Sequence, residues 1–191
     1  MSATRRVLLW RGTDAWRAEY ADVTIAADRL LARGTQIGVE PRPYRLSYAL
    51  DTGTGFVTSR LTVDTAGEGW SRRLDLTRDA AGAWHMSADG AGAKDLGPPG
   101  GDQSALGGAN DCDLAFSPLT NTMPIRRDGG GPANYVMAWV SVPDLAVVRS
   151  EQRYEPVGDG RVRYVDGDFR AELELDADGF CLRYPGLAER V

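Results

Sequence analysis

The densest polar constellation in this 191-residue chain is Asn110-Asp111-Cys112-Asp113-Leu114, followed shortly by Thr120-Asn121 and Arg126-Arg127. In a β-strand alternate residues share a face, so Asp111 and Asp113 would point the same way, about 6–7 Å apart at the backbone. Carboxylates that close repel, and one pKa rises unless a cation or a hydroxylated ligand compensates. A sugar presents vicinal hydroxyls that donate to such acceptors, so an acidic pocket is a physically sensible site for a sugar head. Hydrolysis is a second use, because inverting glycosidases hold two carboxylates roughly 6.5–9.5 Å apart. Those carboxylates must flank the scissile bond from different sides, however, which two side chains on one strand face do poorly. A third use is structural, with the aspartates capping the nearby helix or pairing with arginines. The two arginines diverge in either a strand or a helix, so at most one faces a given pocket.

Standard catalytic signatures are missing. The sequence has no Walker A loop, no GxGxxG and no GxSxG. His85 is the single histidine, between Trp84 and Met86, and it reads as an ordinary strand residue. With no CxxC or HExxH, no metal site is expected, and nothing calls for a cofactor. No catalytic residue is assigned. The balance of 22 basic and 27 acidic residues gives a net charge of −5, which argues against a nucleic-acid partner because neutralising phosphates needs a basic face.

The elements that must position the polar residues are mostly strands. The 23 glycines and 10 prolines punctuate the chain often, as an all-β protein requires. Phe169, Ala171, Leu173 and Leu175 alternate with charged residues, Asp178-Gly179 turns, and Phe180, Leu182 and Tyr184 alternate again, which reads as a β-hairpin. Val136 to Val142 is apolar on both faces, as a strand buried on both sides would be. Arg42 to Leu50, Phe56 to Val63, Trp70 to Thr77, Ala83 to Ala88, Val147 to Tyr154 and Arg161 to Val165 read as further strands. Val23 to Arg33 fits either a helix or a strand, and its β-branched start favours a strand. Ala91 to Gly108, with Pro98, Pro99, Gly100 and Gly101, reads as a loop or mobile insert, and Gly129 to Pro132 as a flexible turn. One short helix is expected where Ser117-Pro118 form an N-cap and first turn, with Leu119 and Met123 on one face and Pro124 limiting the run. Alone it would be unstable, so it must pack on the sheet.

The length favours one domain spanning 1–191. The two cysteines cannot form a disulfide framework, and Cys181 reads as a buried free thiol. The apolar run Val7 to Trp10 is too short for a signal peptide, and no stretch approaches a membrane span, so a cytoplasmic protein without stable membrane insertion is expected.

The string Asp111-Cys112-Asp113-Leu114, then Ser117-Pro118-Leu119-Thr120-Asn121-Thr122-Met123-Pro124-Ile125-Arg126-Arg127, resembles the signature of the bacterial glycolipid-binding family. Pro43-Tyr44-Arg45-Leu46-Ser47-Tyr48, Gly82-Ala83-Trp84, Trp139-Val140, Gln152-Arg153-Tyr154, Asp178-Gly179 and Tyr184-Pro185-Gly186-Leu187 fall in the order the resemblance expects, across nearly the whole chain. The departure is Asp128-Gly129-Gly130-Gly131, where the family usually has an apolar residue after the two arginines. The resemblance implies a mainly β fold, a large half-barrel-like antiparallel sheet wrapped around a single short helix, remotely like the lipoprotein-carrier folds. It implies a homodimer and an acidic pocket for a glycolipid or other sugar-containing small molecule. By motif position, Asp111, Asp113, Asn121 and Arg126 are the foremost candidates for that pocket, followed by Glu19, Gln152 and Tyr154. The leading expectation is non-catalytic binding of an amphiphile. The alternatives are a glycoside or glycolipid hydrolase using the same carboxylates, and a dimeric interaction module without a small ligand.

Overall fold

The computed structural model describes residues 3–129 and 132–191. It contains β1 (Thr4–Gly12), β2 (Arg17–Ile25), β3 (Leu30–Gly38), β4 (Tyr44–Thr52), β5 (Thr58–Gly67), β6 (Trp70–Arg78) and β7 (Trp84–Ala91). The second half carries β8 (Asp111–Leu114), a 3-10 turn (Pro118–Asn121) continuing into α1 (Thr122–Asp128), then β9 (Ala133–Val140), β10 (Val147–Gly158), β11 (Arg161–Asp166), β12 (Phe169–Leu175), β13 (Cys181–Tyr184) and β14 (Ala188–Arg190). All 14 strands form one sheet, in the order β7-β6-β5-β4-β3-β2-β1-β14-β13-β12-β11-β10-β9-β8. The fold is therefore the mainly β, curved open sheet around one helical segment that the family resemblance implies.

Period-two patterning sets which face turns inward. In β3 burial alternates without a break, so Leu30, Ala32, Gly34, Gln36 and Gly38 face the interior. Leu46, Leu50, Leu61, Val63, Leu74 and Leu76 continue that face across the neighbouring strands, each almost completely buried. Leu119 and Met123, the two residues expected to share a helix face, fill the hollow and are fully buried. Gly34 has a specific task, because a Cβ there would lie 2.2 Å from the Tyr48 ring. Its absence lets the ring lie flat across β3 and sets where the phenolic oxygen ends.

One pair departs from an all-antiparallel sheet, since β8 runs parallel to β9. Parallel neighbours need a crossover connection. Here the helical segment supplies it, which is why the helix sits on the sheet's inner side between two strands that pair.

Other local expectations change in detail. Val23 to Arg33 is neither one helix nor one strand: β2 ends at Ile25, β3 begins at Leu30, and Ala26 N–H to Arg29 O (2.9 Å) closes the turn. Pro124 lies inside α1, in its first turn, where a missing N–H costs little, so it does not end the helix. The segment 91–108 is tied down: Gly100 donates to Leu145 O (2.8 Å) and accepts from Val147 N–H (2.9 Å), while Leu106 is fully buried. Of the 129–132 turn, Gly130 and Gly131 lie outside the described residues. His85 lies on β7 beside Asp79, its Nε2 3.2 Å from the carboxylate. Cys112 and Cys181 are both buried free thiols.

Candidate functional site

Strand β8 delivers the two aspartates to different surroundings. Asp111 is fully buried and paired with Arg127 of α1, whose Nη1 donates to Oδ2 at 2.8 Å. The same guanidinium donates through Nε to Gly55 O (2.7 Å) and through Nη2 to Phe56 O (3.2 Å). Burial pushes the Asp111 carboxyl up, opposed by Arg127. A buried bidentate pair of this kind holds the end of the crossover helix against the turn before β5.

Asp113 has no such cation. Its Oδ1 accepts from Thr120 Oγ1 (2.7 Å) and its Oδ2 from Gln152 Nε2 (2.6 Å). Behind it, the Tyr154 hydroxyl lies 2.8 Å from Asn121 Oδ1 and 3.2 Å from Gln152 Oε1, and can give its one proton to either. Tyr154 and Gln152 are 1% exposed, so this network is a sealed backing. Burial raises the Asp113 pKa, and the charges of Asp166 and Asp111 push the same way.

In front of Asp113 is a cavity of about 200 Å³. Its polar wall is Asp113, Ser117, Asn121 and Ser141, and its aromatic wall is Phe116, Trp139, Tyr164 and Tyr184. The centroids of Tyr164 and Tyr184 are 5.8 Å apart with planes inclined by 60°, so the two rings form adjoining sides.

The remaining candidates lie elsewhere. Arg126 donates to Asp178 O (3.1 Å), with its guanidinium 5.5 Å from the Phe56 ring centre, away from the cavity. Glu19, on β2, forms a separate polar island. Its Oε1 accepts from Tyr48 Oη and Ser117 Oγ, each at 2.6 Å, while its Oε2 has no partner. Burial pushes this carboxyl up to about 7, against the hydrogen bonds from Ser117, Tyr48 and Gln36. The space beside it is only about 10 Å³ and is bounded by Arg17, Gln36 and Phe116, too small for any organic ligand. Phe116 borders both cavities. It adopts φ +65°, an uncommon backbone state for a bulky residue, and carries Arg17 stacked 4.0 Å from its ring centre. Ser117 occupies the helix N-cap position, as its sequence context predicts, yet makes no side-chain cap, because its hydroxyl is turned to Glu19.

Of the seven candidate residues, the structure joins Asp113, Asn121, Gln152 and Tyr154 in one network and leaves Asp111, Arg126 and Glu19 at three other places. Sequence reasoning missed Phe116, Trp139, Ser141, Tyr164 and Tyr184. Trp139 and Tyr184 entered only as family features, in Trp139-Val140 and Tyr184-Pro185-Gly186-Leu187.

A curved sheet closed on an inward helix, with a cavity walled by one acid and several rings, defines an architecture suited to holding a small molecule. The chain belongs to the family described as "Putative glycolipid-binding", whose model matches residues 7–190. The chain is also similar to a solved structure, a DUF1089 family protein from Pseudomonas aeruginosa, at 25% identity and a TM-score of 0.71, covering 94% of this chain and 93% of the other. No curated protein matches. Among the described residues no helix is long and apolar enough to cross a membrane, and no group of three or more histidine, cysteine or acidic residues is arranged to hold a metal ion.

Proposed function

We propose that this protein binds an amphiphile by its polar head, seated against Asp113 in the cavity between the sheet and the crossover helix. The observation that carries this reading is the cavity itself, whose lining combines one enclosed carboxylate with several aromatic rings. At about 200 Å³ it is smaller than the ~300–1,000 Å³ typical of pockets that enclose a whole ligand. A head group of one ring or less fits that size, with the attached chain leaving the mouth. Asp113 uses one acceptor site on each oxygen for Thr120 and Gln152, so further acceptor sites remain for the donors of a ligand. The family description supports a binding role in general.

Hydrolysis by the aspartate pair is less well supported. Asp111 is held by Arg127 in a fully buried pair and does not line the cavity, so only one of the two carboxylates can meet a ligand there. Asp113 is the one acid among the described residues that line the cavity.

The test is native mass spectrometry of freshly purified protein, followed by solvent extraction and identification of what is released. A reproducible amphiphile adduct that is lost in Asp113→Asn supports the reading. An adduct that survives Asp113→Asn places the ligand elsewhere, and a protein that takes up no amphiphile even when offered lipid extracts overturns the reading. The same spectrum reports the homodimer that the family resemblance implies.

A further inference from the structure

We infer that the head group recognised in this cavity carries a positive charge on nitrogen, as an amino sugar or a quaternary ammonium does, rather than being a neutral sugar. This deepens the proposed binding function and rests on it. Three observations converge.

The first is the charge balance around the cavity. Of the two aspartates on β8, only Asp111 has a counter-cation. Asp113 lines the cavity with a hydroxyl and an amide as its partners. Asp166, close enough to act on Asp113, is likewise met by the hydroxyls of Ser150 (3.2 Å) and Tyr164 (3.4 Å). Neither forms an ion pair among the described residues. Arg17 borders the small space beside Glu19 rather than this cavity, lies against the ring of Phe116 and is salt-bridged to Asp14. In a chain this rich in arginine, the ungated arrangement would have been to place one at Asp113, as α1 does for Asp111. Here the complementary charge is left to the ligand.

The second is the aromatic part of the lining. A cation gains from lying over aromatic faces, and more so when it is desolvated. Trp139, Tyr164 and Tyr184 supply such faces around one cavity, with Phe116 beside them, although one face of Phe116 already carries Arg17. A neutral hydroxylated ring could stack on any one of these rings. Several rings at an angle, closed by a carboxylate, form the geometry that surrounds a compact ammonium.

The third is hydrogen-bonding character. Each hydroxyl of a neutral sugar both donates and accepts, so it is best held by side chains that do the same, planar amides above all. The cavity wall has one amide, Asn121, whose Oδ1 and Nδ2 already face Tyr154 (2.8 Å) and Pro118 O (3.3 Å), and two hydroxyls, of Ser117 and Ser141, whose protons go to Glu19 (2.6 Å) and Asp144 (2.5 Å). Gln152 is behind Asp113, and no arginine lines the cavity. What remains open is acceptor capacity and ring surface, which matches a cationic nitrogen, a group that brings no acceptor of its own.

The decisive experiment compares isosteres that differ in charge. Choline and 3,3-dimethylbutan-1-ol have nearly the same shape, as do glucosamine and glucose, and each can be titrated against the full chain by NMR chemical shift. The inference expects the charged member of each pair to bind at least about tenfold more tightly, roughly 1.4 kcal/mol, with shifts centred on Trp139, Tyr164 and Tyr184. Asp113→Asn should abolish the preference. If that variant fails to fold, the wild-type comparison decides alone. Equal binding within each pair, at the same residues, overturns the positive charge and leaves the binding reading intact. Tighter binding of the neutral members does the same. Shifts at none of the cavity residues with any of the four probes overturn both.

Discussion

Asp111 and Asp113 are two residues apart on one strand, on the same side of its pleat, and the fold treats them in opposite ways. Around Asp111 it supplies a guanidinium, two backbone carbonyls that orient that guanidinium, and complete burial. Around Asp113 it supplies a hydroxyl, an amide and a cavity. The first region is self-sufficient, since every charge in it has its opposite in the chain. The second is complete as a hydrogen-bond network but not as a charge balance. The difference teaches that two carboxylates so alike in sequence meet different surroundings: one is tied to the crossover helix and the other lines a cavity.

Breaking the self-sufficient side should have the largest effect. Arg127→Met leaves Asp111 buried and unpaired, and urea unfolding should show a loss of about 3–5 kcal/mol. Replacing both partners, Asp111→Leu with Arg127→Met, should restore most of that loss, because removing a whole buried pair is often close to neutral.

A third buried acid sharpens the contrast. Glu19 has neither a cation partner nor a ligand-sized cavity, and burial raises its folded pKa from 4.5 to about 7. Its neutral form is therefore the one the fold prefers. Its contribution is fully present below the unfolded pKa of about 4.5 and falls by about 3 kcal/mol as pH rises through 7. Glu19→Gln should remove that slope, so that its stability relative to wild type improves between pH 5 and 8. Thermal melts across that range check it, and an unchanged slope would mean Glu19 titrates normally.

Asp113→Asn should do the reverse of Arg127→Met: a stability change within about 1 kcal/mol, with loss of the amphiphile adduct. A collapse in stability of the same size as for Arg127→Met would erase the distinction drawn here. The smallest effect is expected for Tyr164→Phe, whose hydroxyl bond to Asp166 is long at 3.4 Å. Stability should change by no more than about 0.5 kcal/mol, and binding should be largely kept because the ring face remains.

How much of this was readable beforehand depended on the range of the interaction. Strands such as β9 and β12 were legible because alternation is local, and the sheet's breadth follows from many such runs. The helix was legible from Ser117-Pro118, although Pro124 was read as its limit because the position of the first turn depends on where the preceding 3-10 turn ends. The first turn of β3 after the Ala26–Arg29 reversal was not legible, since four residues with no glycine or proline carry it. At the site, the Asp113 network was found through motif spacing, but its aromatic wall was not. Trp139, Tyr164 and Tyr184 come from three strands that meet only through the sheet's curvature, and each alone looks like a core residue. Pairing of an aspartate with an arginine was among the uses the sequence allowed, but not which of the two it would be; the fate of Glu19 was hidden, because it depends on Tyr48 and Ser117, which arrive from other elements.

The order of the strands has a further meaning. Every neighbour in the sheet is also a neighbour in sequence except β1 and β14, which meet through only three residue pairs, Trp10 with Arg190, Arg11 with Glu189 and Gly12 with Ala188. The antiparallel pairings within β1–β7 and within β9–β14 can therefore zip locally as two meanders, with β8 added through the helical crossover. The seam must wait for a loop that is nearly the whole chain to close. Loop-closure entropy grows slowly, by about 0.6 kcal/mol per doubling, so the delay is modest, yet it falls on a single event. In kinetic terms the protein resembles two fast, low-contact-order folders joined by one slow step. The clock for reaching the finished sheet is set by a short stretch of backbone at its centre, next to Leu187 of the cavity wall.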